Sequence, residues 1–177
     1  MEKKNILVVD DKEDLREAVT AILCGKGYDV KAVSSGPAAL EIFAKEPFDL
    51  VISDFKMPQM NGVELLENVK RIDSDVPFVI MTAFGEKETQ KAAMDKGAFT
   101  FLDKDNFLFY MIESVAAVAL HTRNIILQNK ALVSEIRALK GELSDKWDYV
   151  GNAPKIMEVR NFTNTVASSR STVLITA

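Results

Sequence analysis

The sequence predicts an α/β protein built around a parallel sheet, and three observations carry that expectation. Short runs rich in branched apolar residues alternate with helix-like segments, the pattern of repeated strand–helix–strand units. Two of the runs, Ile6-Leu-Val-Val9 and Leu50-Val-Ile52, are continuously apolar, as strands covered on both faces must be. Glycine, proline and small polar residues fall between the runs rather than inside them, where they can stop one element and start the next.

Taken in order, a strand is expected over Asn5–Val9 and a helix over Asp14–Cys24, with Asp14 as its cap and Gly25 and Gly27 as its stop. A second strand, Asp29–Val33, leads to Ser35-Gly-Pro37, which opens a helix over Pro37–Lys45 with proline in its first turn. The third strand is Leu50–Ser53, and Asn61-Gly62 turns the chain into a helix over Val63–Arg71. A fourth strand, Phe78–Thr82, a helix over Glu86–Lys96 and a fifth strand, Thr100–Leu102, complete a domain ending near residue 120.

The pattern then changes. From Phe107 to about Leu143 the chain reads as one helix, with no proline and no glycine before Gly141. A heptad fits it, with Val115, Thr122, Asn129, Ile136 and Leu143 at one seam position and Val118, Ile125, Leu132 and Leu139 at the other. Asn129 in that seam would fix register at a cost in stability, and Glu135 and Lys140 could pair between parallel chains. The expectation is a homodimeric coiled-coil linker over residues 121–145; the alternative is an amphipathic helix packed on its own domain. Residues 146–177 read as a turn, a helix over Lys155–Ala167 and a β run, Thr172–Thr176.

Composition bounds the function classes. The chain has 177 residues, 47% of them hydrophobic and 27% charged, with 8 Gly and 5 Pro, which suits a folded chain and excludes a disordered or collagenous one. Its 22 basic against 26 acidic residues give a net charge of -4, which argues against a surface devoted to nucleic acid. The single cysteine, Cys24, excludes an internal disulfide and a cysteine-based metal cluster, and is read as a small buried apolar group. Met1-Glu-Lys-Lys runs into a strand without a signal peptide, and no apolar stretch reaches the roughly 18 residues of a membrane span, so a cytoplasmic protein is expected.

The acidic residues are informative by placement. Asp10-Asp11 follows the first strand and Asp54 the third, while Thr82 ends the fourth and Lys104 follows the fifth. Open parallel sheets bind ligands beyond the carboxyl ends of their strands, so these groups meet on one rim if strands one and three are neighbours. A single aspartate after a strand is most simply a turn former. Three carboxylates together repel one another and call for a cation, and hard oxygen donors suit Mg2+.

These residues resemble the receiver domains of two-component response regulators. The resemblance covers about residues 4 to 120 and rests on Val8-Val-Asp-Asp11, Asp54-Phe-Lys-Met-Pro-Gln-Met-Asn-Gly62, Met81-Thr-Ala83, Lys96-Gly-Ala98 and Phe101-Leu-Asp-Lys104. It implies a flavodoxin-like five-stranded sheet in the order 2-1-3-4-5 and phosphoryl transfer from a sensor histidine kinase to Asp54. It also implies Mg2+ on Asp10, Asp11, Asp54 and the Lys56 backbone carbonyl, Lys104 as the cation toward the phosphoryl oxygens, and Thr82 with Phe101 as the switch pair. The family usually has proline after the lysine; here Asp105 follows Lys104. A cis bond before a non-proline residue costs about 3 to 4 kcal/mol, so a trans bond or a strained loop is expected.

The tail, Val150-Gly-Asn-Ala-Pro-Lys-Ile-Met157 and Ser171–Ala177, resembles the opening of the AAA+ ATPase domain of sigma-54-dependent, NtrC-like activators. No G-x-x-x-x-G-K-[ST] occurs in the chain, so no ATPase activity is expected of it. Contacts with sigma-54 RNA polymerase and DNA would fall to domains outside this sequence. Two other readings compete. An aspartyl-phosphate hydrolase would carry a second Asp two residues after the nucleophile, where this sequence has Lys56. A pseudo-receiver would be a constitutive dimerisation module whose switch Asp105 has spoiled. His121, alone on the linker, is read as solvated.

Overall fold

The computed structural model of the chain describes residues 3–82, 91, 93–104, 108–146 and 154–167. Its elements, in order, are β1 (Asn5–Val9), α1 (Glu13–Gly25), β2 (Asp29–Val33), α2 (Gly36–Phe43), β3 (Leu50–Asp54), α3 (Gly62–Ile72), β4 (Phe78–Thr82), β5 (Thr100–Asp103), α4 (Leu108–Lys146) and α5 (Pro154–Ala167). The expected helix over Glu86–Lys96 falls largely outside the described residues, of which 91 and 93 to 95 are helical. The expected strand Thr172–Thr176 lies outside them altogether.

The five strands form one sheet in the order β2-β1-β3-β4-β5, with every neighbouring pair parallel. The expected order is therefore the observed one, and β1 and β3 lie side by side. Strand alternation divides the core in two. Leu7, Val9, Val51 and Ile80 face Phe43 of α2 and Leu65, Leu66 and Val69 of α3. Ile6, Val8, Leu50, Ile52 and Met81 face Val19 and Leu23 of α1 and Ile112, Ala116 and Ala119 of α4. Both faces of the central strands are thus covered, which is why their sequences are unbroken apolar runs. The edge strand β2 instead has exposed Asp29, Lys31 and Ala32.

Local chemistry sets the element ends. The Asn61 carboxamide oxygen accepts the N–H groups of Val63 and Glu64, and the Glu64 carboxylate accepts the Asn61 N–H, a reciprocal cap that starts α3 where the chain leaves the rim of the sheet. Ser35 caps α2, with Pro37 in its first turn. Gly27, at φ 88°, takes the left-handed conformation that closes α1, its N–H donating to the Cys24 carbonyl.

Two expectations are corrected here. Asp14 is not a cap: α1 begins one residue earlier, Lys12 holds the cap position with no side-chain bond, and Glu13 and Asp14 lie in the first turn, where negative charge suits the helix dipole. Cys24 is exposed, because the inward stripe of α1 runs through Val19 and Leu23 and leaves the next residue a quarter-turn away in solvent.

Helix α4 buries Leu108, Ile112, Ala116, Ala119, Leu120 and Arg123, the last of them buried among its residues up to 140. Val115 packs partly against the same core. Val118, Ile125, Leu132, Ile136 and Leu139, all from the predicted seam, are exposed, as is Asn129. The chain forms two compact units, Met1–Asn129 and Lys130–Ala177. In the second, α5 carries exposed Met157, Val159 and Phe162. No helix among the described residues is long and apolar enough to cross a membrane.

Candidate functional site

The carboxyl ends of β1, β3, β4 and β5 bring the predicted groups to one rim. Asp10 follows β1 and is wholly buried; its Oδ1 accepts the Lys12 N–H at 2.9 Å, which turns the chain into α1. Asp11 is exposed. Asp54 closes β3 at 5% exposure, and its Oδ1 accepts the Lys56 N–H at 3.3 Å. Lys104, just beyond β5, donates its backbone N–H to the Thr82 carbonyl at 2.7 Å, so the end of β4 fixes where the lysine starts.

From there the Lys104 ammonium reaches Asp10 Oδ2 and Asp54 Oδ2, both at 2.7 Å. It bridges the two buried carboxylates although no proline follows it; the Lys104–Asp105 bond itself lies outside the described residues. Oxygens of Asp10, Asp11 and Asp54 lie within 4.8 Å of one another. Burial pushes the Asp54 carboxyl above its ordinary value, the Lys104 bond and charge pull it back, and Asp10 raises it further; the net direction is up.

Thr82 is 2% exposed at the end of β4. Phe101 on β5 pairs in register with Ile80, two residues before Thr82, so both share a sheet face on adjacent strands. Phe101 is half-buried against the α2–α3 side of the core. The rim therefore gathers Asp10, Asp11, Asp54, Thr82 and Lys104, with Phe101 beside them. Lys56 is exposed two residues past Asp54.

The donor set fits Mg2+. It offers hard carboxylate oxygens and no sulfur or imidazole, and two of its three carboxylates are buried with one ammonium between them, leaving excess negative charge for a divalent ion.

Two supporting residues escaped the sequence reading. Arg16 donates from Nη1 to the Asp10 carbonyl at 2.9 Å and so braces the turn that presents both N-terminal carboxylates. Gly62, read as a turn residue at the end of the Asp54–Gly62 motif, sits so close behind Asp54 that a Cβ there would lie 2.4 Å from the Asp54 carbonyl oxygen. The run Asp54-x₆-Asn61-Gly62 held no sign of that approach, which depends on the chain folding back so that the Gly62 N–H meets the Phe55 carbonyl at 2.9 Å.

With this geometry in place, comparison with known proteins is specific. The regulatory protein AtoC of Escherichia coli K12 is 29% identical over 96% of this chain and 36% of its own length. The transcriptional regulatory protein ZraR of Klebsiella oxytoca is 33% identical over 98% of this chain and 37% of its own. The crystal structure of NtrX from Brucella abortus superposes with a TM-score of 0.65 at 27% identity, covering 96% of this chain and 36% of that one. The chain thus spans just over a third of the length of the curated relatives it matches. Residues 6–115 match the response regulator receiver domain family, and the chain belongs to that family.

Proposed function

We propose that this chain is the phosphoacceptor arm of a two-component transcription regulator, taking a phosphoryl group on Asp54 from a phosphohistidine of a sensor kinase. The observation that carries the reading is the Asp54 carboxylate: nearly buried, raised in pKa, at the end of a central strand and within reach of a cation. The attacking carboxylate oxygen forms the new P–O bond as the P–N bond to histidine breaks. Asp10, Asp11, Asp54 and the Lys56 backbone carbonyl are the proposed Mg2+ ligands, and the ion when bound supplies positive charge to the phosphoryl oxygens. Lys104 offers its ammonium to the same oxygens. Thr82 can turn its hydroxyl toward the phosphate, and Phe101 moves into the space it leaves, a two-state pair whose balance the phosphate shifts.

Incubation of the chain with Mg2+ and acetyl phosphate is expected to give an adduct in the intact mass, mapped to Asp54; no adduct sinks the reading. The pseudo-receiver alternative is disfavoured because Lys104 engages both carboxylates despite Asp105. Hydrolase chemistry is disfavoured by Lys56 at the position an acid/base aspartate would need.

Lys104 itself makes a prediction. In metal-free protein, Lys104→Met strips the countercharge from two buried carboxylates and is expected to cost about 3 kcal/mol of stability. The same change is expected to tighten Mg2+ binding about tenfold, since the ion no longer competes with the ammonium. Urea unfolding in chelator and a Mg2+ titration check the two halves.

The linker reading extends the function. Residues 1–120 are assigned to the receiver, 121–145 to a linker and 146–177 to the start of an ATPase domain. Exposed Val118, Ile125, Leu132, Ile136 and Leu139 on α4, with Asn129 among them, support pairing with a second copy. The double variant Leu132→Asp with Leu139→Asp is expected to be monomeric in sedimentation at concentrations where the parent chain is a dimer. Equal masses would remove the coiled coil. Phosphorylation would then act on the oligomeric state of a sigma-54-activating ATPase, whose contacts with sigma-54 RNA polymerase and DNA lie in other domains. A cytoplasmic setting follows from that role.

A further inference from the structure

The sheet has a second polar cluster at its opposite rim, where the strands begin. Asp49 immediately precedes β3 and is five residues before Asp54. Its Oδ1 accepts from Lys4 Nζ at 3.0 Å and its Oδ2 from the Asn5 N–H at 2.9 Å. Asp73 caps the end of α3, on the connection into β4, and its Oδ1 accepts the Asp75 N–H at 2.9 Å. Arg123 of α4 lies between the two aspartates. Its Nη2 donates to Asp73 Oδ2 at 2.7 Å, while its Nε stands 3.9 Å from Asp49 Oδ1, close enough for attraction and too far for a hydrogen bond.

Three features make this cluster more than a surface ion pair. Arg123 is 8% exposed and is the last buried residue of α4 among those up to residue 140. Its Nε and Nη1, closed to solvent, have no hydrogen-bond partner, and a buried donor left in that state is costly. It also lines two cavities, one of about 370 Å³ shared with Lys4 and Asp49 and one of about 260 Å³ shared with Ser74 and Ile126.

The guanidinium is thus bonded to one carboxylate, faces a second and is unsatisfied at two nitrogens, so it has two alternative anchors close by. Its two partners belong to different parts of the sheet. Asp49 adjoins the start of β3, whose far end is Asp54; Asp73 lies on the lead-in to β4, whose far end is Thr82.

We infer that Arg123 is a two-position latch that passes the state of the Asp54 rim to the linker helix. A slide of β3 against β4 changes whether the guanidinium holds Asp73 or Asp49 and so resets how α4 is fastened at its last anchored turn. The inference rests on the phosphoacceptor reading of Asp54 and adds to it the route by which that site reaches α4. Arg123 is a positioning residue: it touches neither phosphate nor metal.

The test uses the full chain and two readouts, intact mass for the Asp54 adduct and amide hydrogen exchange for residues 120–129. Acetyl phosphate with Mg2+ is expected to label the parent chain and to change exchange across 120–129 by about tenfold. Arg123→Gln is expected to label equally well yet to exchange fast over 120–129 both with and without phosphate. Asp73→Asn, at a partly exposed carboxylate, is expected to behave the same way, and combining the two changes should add nothing further. A parent chain that labels without any change at 120–129 overturns the latch, as do variants that respond like the parent or lose protection equally across β1 and β3. A parent chain that does not label overturns the phosphoacceptor reading first, and the latch with it.

Discussion

Asp54→Ala is expected to abolish labelling by acetyl phosphate completely while changing stability at neutral pH by no more than about 1 kcal/mol. The asymmetry follows from where the carboxylate sits. In the proposed reaction Asp54 is the nucleophile, and Asp10 and Asp11 do not replace it, because only Asp54 closes the central strand β3. Yet its ionised form is held there against burial and the charge of Asp10, so its removal relieves strain while Lys104 keeps its bond to Asp10.

The sign of the pH effect follows from the same cause. A carboxyl raised above its ordinary value of 3.8 contributes stability that is fully present below that value and is lost as pH rises through the folded-state value. The stability advantage of Asp54→Asn over the parent chain is therefore expected to grow from pH 4 to neutral. Denaturant unfolding at the two pH values checks it; an advantage that shrinks over that range contradicts the assignment.

Gly62→Val is expected to destabilise the domain by about 3 kcal/mol or more and to slow labelling at Asp54. The new Cβ would stand 2.4 Å from the Asp54 carbonyl oxygen and 3.1 Å from Phe55 Cα. Both are backbone atoms and cannot rotate away as a side chain would. Either α3 shifts, breaking the Asn61–Glu64 cap, or the backbone that presents the nucleophile moves. Gly25→Ala is the control, because a Cβ there meets nothing within 4 Å. It is expected to be neutral or slightly stabilising. Urea midpoints for the two variants, with labelling rates at matched folded fraction, separate the effects.

What could be read from the sequence depended on whether the controlling contact was local or repeated. β1 and β3 were legible because burial on both faces writes itself as an unbroken apolar run. The site was legible because one kind of placement, a polar residue at a strand end, recurs on four strands. Asp14 and Cys24 were misread because each sits at the margin of a helical stripe, where a shift of one residue changes which side faces the core. Arg123 drew no notice in the sequence, since its partners, Asp73 and Asp49, are 50 and 74 positions away in the chain. The seam of α4 was legible as a pattern, but Val115 at its start serves the core of the domain itself, which periodicity alone could not separate from pairing between chains.

The ammonium between Asp10 and Asp54 also bears on what a metal would have to do for the fold. In proteins whose clustered ligands have no internal countercharge, the ion is part of folding and a chelator unfolds them. Here the chain carries its own cation to the cluster, on Lys104 just beyond the fifth strand. The expected result is a native state that persists in chelator, with the ammonium offsetting part of the buried negative charge. On the proposed reading, magnesium would meet a finished pocket and act as a reversible input, while the fold stays the same.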